Sequence, residues 1–214
     1  MKNAYVYVLD TLADWELGYV LAELNSGRYF KNQGAHISVK AVGITKDPII
    51  TKGGMTIIPD ATVKDIMVEA TAVLLLPGAD TWQEPQHALI IEKTKELLDN
   101  DVNVGAICGA TIALASAGLL DERSHTSNGL DYLKMVCSHY RGEALYKDEK
   151  AVTDGNLITA NSAGGLLFAR HILARLDVFS EDTLTAWYHY FDTGEAQYFY
   201  ALMETLPTQP AAGV

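Results

Sequence analysis

With 214 residues, 49% of them hydrophobic, the chain is long enough to bury a substantial core in one domain of α/β type. Lys and Arg number 16 against 27 acids, a formal net charge of −11; phosphate binding needs clustered cations, so no nucleic-acid partner is expected. No charged-then-apolar leader opens the chain and no apolar run approaches about 18 residues, so the expectation is a cytoplasmic protein with no membrane contact.

In chain order, "AYVYVLD" (4–10) reads as a strand. "TLADWELGYVLAELN" (11–25) reads as a helix, with Leu12, Trp15 and Tyr19 at helical spacing and a Thr11-x-x-Asp14 capping box. "HISVKAVG" is a second strand, and "PIITKGGMTIIPD" has two β-branched runs around Gly53-Gly54, a hairpin that leaves the main sheet. "TAVLLLPGAD" is a continuous apolar strand, as a parallel sheet buried on both faces requires, and it stops at Pro77-Gly78. A helix follows from about Gln86 to Leu98.

"VNVGAIC" is another buried-type strand, leading into the helix "GATIALASAGLL", which closes at Gly118. "LDYLKMVCSHY" is helical, and "KAVTDGNLITA" places an Asp154-Gly155 turn between two strands. "NSAGGLLFARHILARLDVF" is an apolar helix after a small-residue entry. An aromatic helical extension runs from about 180; its Trp187, Tyr188, Tyr190, Phe191, Tyr198, Phe199 and Tyr200 are expected to pack against the domain or a dimer face. The alternation of strand and helix predicts a doubly wound α/β sandwich over residues 1–207, with 208–214 frayed.

Cys108 stands where a strand turns into a helix, among the small residues Gly105, Ala106, Gly109 and Ala110 that a strained elbow needs. The helix N-terminus offers unpaired N–H groups and a positive dipole end, which favour thiolate over thiol, so Cys108 is a candidate nucleophile. Cys137, on an apolar helical pattern, is expected in the core; no C-x-x-C, disulfide scaffold or zinc site is implied. No G-x-G-x-x-G, Walker loop or metal-spaced cluster is present, so no cofactor and no metal are expected.

Four stretches resemble the ThiJ/PfpI family of the class I glutamine amidotransferase-like superfamily: "LADWEL", "LLLPGAD", "GAICGATIALASAGLLDERSHTS" and "VTDGNLITANSAGG", in matching order over roughly residues 4 to 177. The resemblance implies a flavodoxin-like α/β/α sandwich with a mainly parallel sheet. It further implies that Glu16 approaches Cys108 as a protonated carboxyl, and that the backbone N–H of Gly109 and the Gly78-Ala79 turn form an oxyanion hole. Ala79 replaces a glycine common in the family. The long tail suggests the amidotransferase-like or putative protease-like subgroup, and relatives suggest a homodimer.

This sequence departs from the glutaminase pattern, because none of its six histidines is followed by an acid two residues on. It also departs from protease-like members, which carry His after the nucleophile where Gly109 stands here, so glutaminase and peptidase activities are not expected. "SHTSNG" offers Asn128, with His125 three residues earlier, and Ser162 borders the same expected pocket; His125 is expected rather to cap or solvate a loop. The primary expectation is a cofactor-free cysteine enzyme, hydrolase or lyase-like, acting on a small electrophilic molecule. Its alternative is a redox or stress-response protein in which Cys108 is oxidised to sulfinate without turnover. A third reading, a degenerate binding or structural dimer, rests on the missing histidine.

Overall fold

The computed structural model describes residues 2–32 and 34–206. Its strands are β1 (Lys2–Tyr7), β2 (Ile37–Gly43), β3 (Ile49–Ile50), β4 (Thr56–Ile57), β5 (Ala61–Thr62), β6 (Thr71–Leu76), β7 (Asn103–Ile107), β8 (Ala151–Asp154) and β9 (Leu157–Ala160). Seven of them form one sheet in the order β5-β2-β1-β6-β7-β9-β8. Every neighbouring pair is parallel except β8 and β9, which are antiparallel across the turn where Gly155 takes φ +57°. β3 and β4 pair antiparallel as a separate hairpin, the expected excursion. Helices α1 (Gly18–Ser26), α2 (Ala88–Asp99), α3 (Gly109–Ser116), α4 (Leu130–Val136), α5 (Gly165–Arg175), α6 (Glu181–Thr193) and α7 (Ala196–Glu204) flank the sheet in a flavodoxin-like α/β arrangement.

All six residues of β6 are buried, which explains its lack of polar alternation: with strands on both edges and layers on both faces, no side chain meets water. Leu74, Leu75 and Leu76 each contribute roughly 1.5–3 kcal/mol by leaving solvent. β1 lies between β2 and β6, so the chain reverses its direction of winding there, and the crevice beyond the carboxyl ends of these strands is where such sheets place ligands.

The first helix differs from its expected position. It begins at Gly18 rather than near Thr11, with Leu17 preceding it and no side-chain cap. Thr11 sits at φ +66°, donates its amide to Ile50 (2.8 Å) and accepts the Asp80 amide on Oγ1 (2.8 Å). Asp14 accepts the Gly53 amide (2.6 Å) instead of closing a capping box. Tertiary contacts thus take both side chains, Asp14 by the β3–β4 hairpin and Thr11 by the turn after β6. Trp15 and Tyr19, expected on the buried stripe, are 57% and 36% exposed.

Of the aromatic extension, Trp187 packs into the domain, while Phe199 and Tyr200, also expected to pack, are exposed. Ser180 caps α6 by accepting the Thr183 amide (3.1 Å), and Gly194 at φ +72° separates α6 from α7. Trp187 is fully buried, edge-on to Tyr19 and Phe179, and donates its indole N–H to Glu23 (3.0 Å). Phe199 and Tyr200 face outward. The expected frayed tail, 208–214, lies outside the described residues.

Candidate active site

β7 ends at Ile107, and the next residue turns the chain sharply into α3. Cys108 has φ +56° and ψ −121°, a conformation that costs an L-residue about 1–3 kcal/mol and recurs where a side chain is held out for chemistry. Two glycines permit the crowding around it. A Cβ on Gly78 would meet Cys108 Cβ and Glu16 Oε1, each at 2.7 Å, and one on Gly109 would meet the Ala79 carbonyl oxygen at 2.7 Å. Three chain segments therefore converge here: the turn before α1, the turn after β6, and the β7–α3 elbow.

Glu16 is fully buried. Its Oε2 accepts the Gly78 amide (2.6 Å), while Oε1 is buried with no hydrogen-bond partner among the described residues, in a carboxyl that lies close enough to the Cys108 thiol to interact with it. Burial pushes the carboxyl above the ordinary carboxylate range, although the Gly78 N–H, the thiol and the charge of Lys52 oppose that shift.

The thiol departs from expectation. Burial holds Cys108 above the ordinary thiol value, and an ionised Glu16 raises it further, while the Asn128 amide and the Gly109 N–H pull it down. The position at the start of α3 does not by itself give a low pKa, since desolvation is the largest influence on the sulfur. Carboxyl and thiol instead form a coupled pair whose first ionisation leaves one proton between them.

The Asn128 side-chain amide donates to Cys108 Sγ (3.3 Å), and its Oδ1 accepts the Ser162 amide (2.8 Å). The Ser162 carbonyl in turn accepts the Trp15 indole N–H (3.3 Å). Asn128 and Ser162 thus border the thiol together. His125 does not join them: Nδ1 meets the Arg123 carbonyl (2.7 Å) and Nε2 the Tyr140 hydroxyl (2.6 Å), with the ring fully buried. A carbonyl only accepts, so Nδ1 carries the proton and Nε2 accepts from Tyr140. Burial holds the ring below its ordinary pKa and pushes Tyr140 up to about 12, so this pair stays neutral. As a pocket residue His125 is corrected; it braces a loop.

Backbone donors complete the corner. The Gly78 carbonyl accepts the Ala13 amide (2.9 Å), which turns the opposite end of that peptide, the Ala79 N–H, away from Ala13; among the described residues this N–H has no acceptor in the chain. Ala79 N lies 3.3 Å from the position a Gly109 Cβ would take, so the two amides border one space beside sulfur. Such a pair can hold a developing oxyanion. No group of three or more His, Cys, Asp or Glu side chains among the described residues could hold a metal ion, and no helix among them is long and apolar enough to cross a membrane. Cys137 is buried, with its sulfur near Ile112 O and Ser116 Oγ, and belongs to the core.

Sequence reasoning missed Trp82. It is 6% exposed and donates its indole N–H to the Pro77 carbonyl (2.8 Å), directly behind Glu16's partner Gly78. It also missed the buried Tyr7–His87 hydrogen bond (2.6 Å) beside that indole. The Trp82–Pro77 bond spans only five residues of the turn after β6, whereas Tyr7 meets His87 and the indole only when β1 and that segment are neighbours.

The DJ-1/PfpI family model matches residues 2–175. The Bacillus subtilis protein YoaZ, named an uncharacterized protease, is 45% identical over 205 residues, spanning 96% of this chain and 98% of its own. A glutathione-independent glyoxalase of Caenorhabditis elegans is 25% identical over 150 residues, spanning 66% of this chain and 74% of its own. Among solved structures, a thiJ/pfpI family protein from Bacillus anthracis superposes with a TM-score of 0.93 at 46% identity, covering 96% of this chain and 97% of that one.

Proposed function

Because the chain belongs to the DJ-1/PfpI family, we propose that it is a cofactor-free cysteine enzyme whose Cys108 attacks a small electrophilic carbon in a hydrolase or lyase-like reaction. The observation that carries this reading is the strained elbow that brings sulfur, a buried carboxyl and the Gly109 and Ala79 amides to one corner. Cys108 Sγ, as thiolate, adds to the carbon of a reactive carbonyl or amide. The displaced electron pair goes to oxygen, where the N–H groups of Gly109 and Ala79 receive it. Glu16 supports the thiolate as a protonated carboxyl, and the Asn128 amide donates to the same sulfur. Gly109 stands after the nucleophile and His125 is engaged elsewhere, so no imidazole assists peptide or glutamine hydrolysis. Among the substrate classes, a 2-oxoaldehyde is favoured, since a C. elegans relative is named a glyoxalase and thiol addition to an aldehyde needs no separate base once the thiolate exists.

A second reading has one observation in its favour. A sulfur with amide and carboxyl neighbours but no base is also arranged to hold the oxygens of a sulfinate, making the protein a peroxide-responsive one. Assays of the full chain with 2-oxoaldehydes and small amides separate the two. Turnover that disappears in Cys108→Ala and persists in Cys137→Ser supports the enzyme. Selective peroxide oxidation of Cys108 with no turnover of any of these compounds supports the redox reading.

A further inference from the structure

The Pro77–Gly78 peptide is gripped at both ends. Its carbonyl accepts the Trp82 indole N–H at 2.8 Å, and its N–H donates to Glu16 Oε2 at 2.6 Å. We propose that Trp82 is a positioning residue for the Cys108–Glu16 pair: by fixing the plane of this one peptide, it decides which carboxyl oxygen carries the proton. The inference deepens the proposed function and rests on its reading of Glu16.

A peptide unit beside glycine rotates easily, because no Cβ obstructs it. In the observed orientation an N–H points at Oε2, which favours that oxygen as the acceptor and leaves Oε1, which has no hydrogen-bond partner among the described residues, to carry a proton on the carboxyl. Rotation by half a turn would present the Pro77 carbonyl instead. The carboxyl would then donate to that carbonyl and its proton would be lost to Cys108. The indole N–H, which can only donate, excludes this alternative by requiring the carbonyl on its own side.

The indole is itself immobilised. Its ring packs against Tyr7 and His87 at centroid distances of 5.5 and 5.6 Å, and those two are joined by a buried 2.6 Å hydrogen bond. Trp82 Cδ1 also lies 3.2 Å from where a Gly109 Cβ would be, so the ring abuts the start of α3 as well as the turn after β6. One side chain thus spans both backbone segments that border the sulfur.

The test is the pH dependence of Cys108 alkylation by iodoacetamide, read by mass spectrometry, in the full chain and its variants. Trp82→Phe removes the N–H and keeps a ring. Site-specific replacement of Trp82 by 3-benzothienylalanine keeps the bicyclic shape and lacks only the N–H, which guards against misfolding. The expected result in both is a Cys108 titration raised by about one unit, a roughly tenfold slower alkylation below it. The shift produced by Glu16→Gln should also be largely abolished in these backgrounds. Wild-type titration in the benzothienyl variant, with Glu16→Gln still effective, would overturn the role of Trp82 and leave that of Glu16 standing. A Glu16→Gln change with no effect in the wild-type background would overturn both.

Discussion

At the scale of single residues, the site is a balance between desolvation and donors. Glu16 is buried without a cation in contact, so its carboxyl is raised in the folded chain relative to the unfolded one. The stability associated with the neutral carboxyl is therefore complete below the unfolded value of about 4.3 and is lost as pH rises through the folded value. Glu16→Gln, which mimics the neutral form, should melt with the wild type near pH 4 and above it at pH 8, by about 1.4 kcal/mol for each unit of the shift. Equal melting temperatures at both pH values, followed by calorimetry, would contradict the burial argument. Asn128→Ala removes the amide donor to sulfur, so Cys108 alkylation at pH 7 should slow by up to about tenfold, with little change in folding, as Asn128 is exposed.

Between elements, two polar contacts organise the segments around the site. The buried Glu23 of α1 accepts from Arg28 Nε (2.9 Å) and from the Trp187 indole of α6 (3.0 Å), tying the aromatic extension to the first helix. Glu23→Ala leaves the Trp187 N–H buried without an acceptor, at a cost of about 1–3 kcal/mol, which a urea midpoint will register. The hairpin is held differently, by Asp14 accepting the Gly53 amide and by the Lys52–Asp80 ion pair at 2.8 Å. The Thr51 hydroxyl, followed by the Gly53 N–H, holds Asp14 below the usual carboxylate range. This contribution is present above the unfolded value of about 3.9 and disappears as pH falls through the lower folded value. Asp14→Ala should accordingly raise hydrogen exchange at Gly53 at neutral pH; unchanged exchange would mean that Lys52 and Asp80 suffice. These same contacts explain why α1 starts late: the Thr11 and Asp14 side chains that resemble a helix cap are used across 39 or more residues of sequence.

For the whole molecule, the winding of the sheet brings the turns after β1, β6 and β7 together at the carboxyl ends of their strands. Of the C-terminal extension, α6 packs on α5 and α7 packs on α6. The expected homodimer is checked by light scattering at micromolar concentration, where twice the mass of 23.3 kDa is the anticipated result and a monomer the opposing one.

Local chemistry carried far in this chain. Continuous apolar runs identified the buried parallel strands, Gly53-Gly54 and Asp154-Gly155 marked the two hairpins, and the small residues around Cys108 exposed the elbow, because each is a short-range property of neighbouring residues. The pairing of Glu16 with Cys108 came only from family resemblance, since 92 residues separate them and no spacing rule links a turn after β1 to one after β7. The burial that raises both groups, the turning away of His125 and the packing of the Trp82 indole on Tyr7 were decided by the tertiary structure alone. Desolvation and hydrogen-bond direction depend on what surrounds a group in space, and sequence neighbours do not specify that.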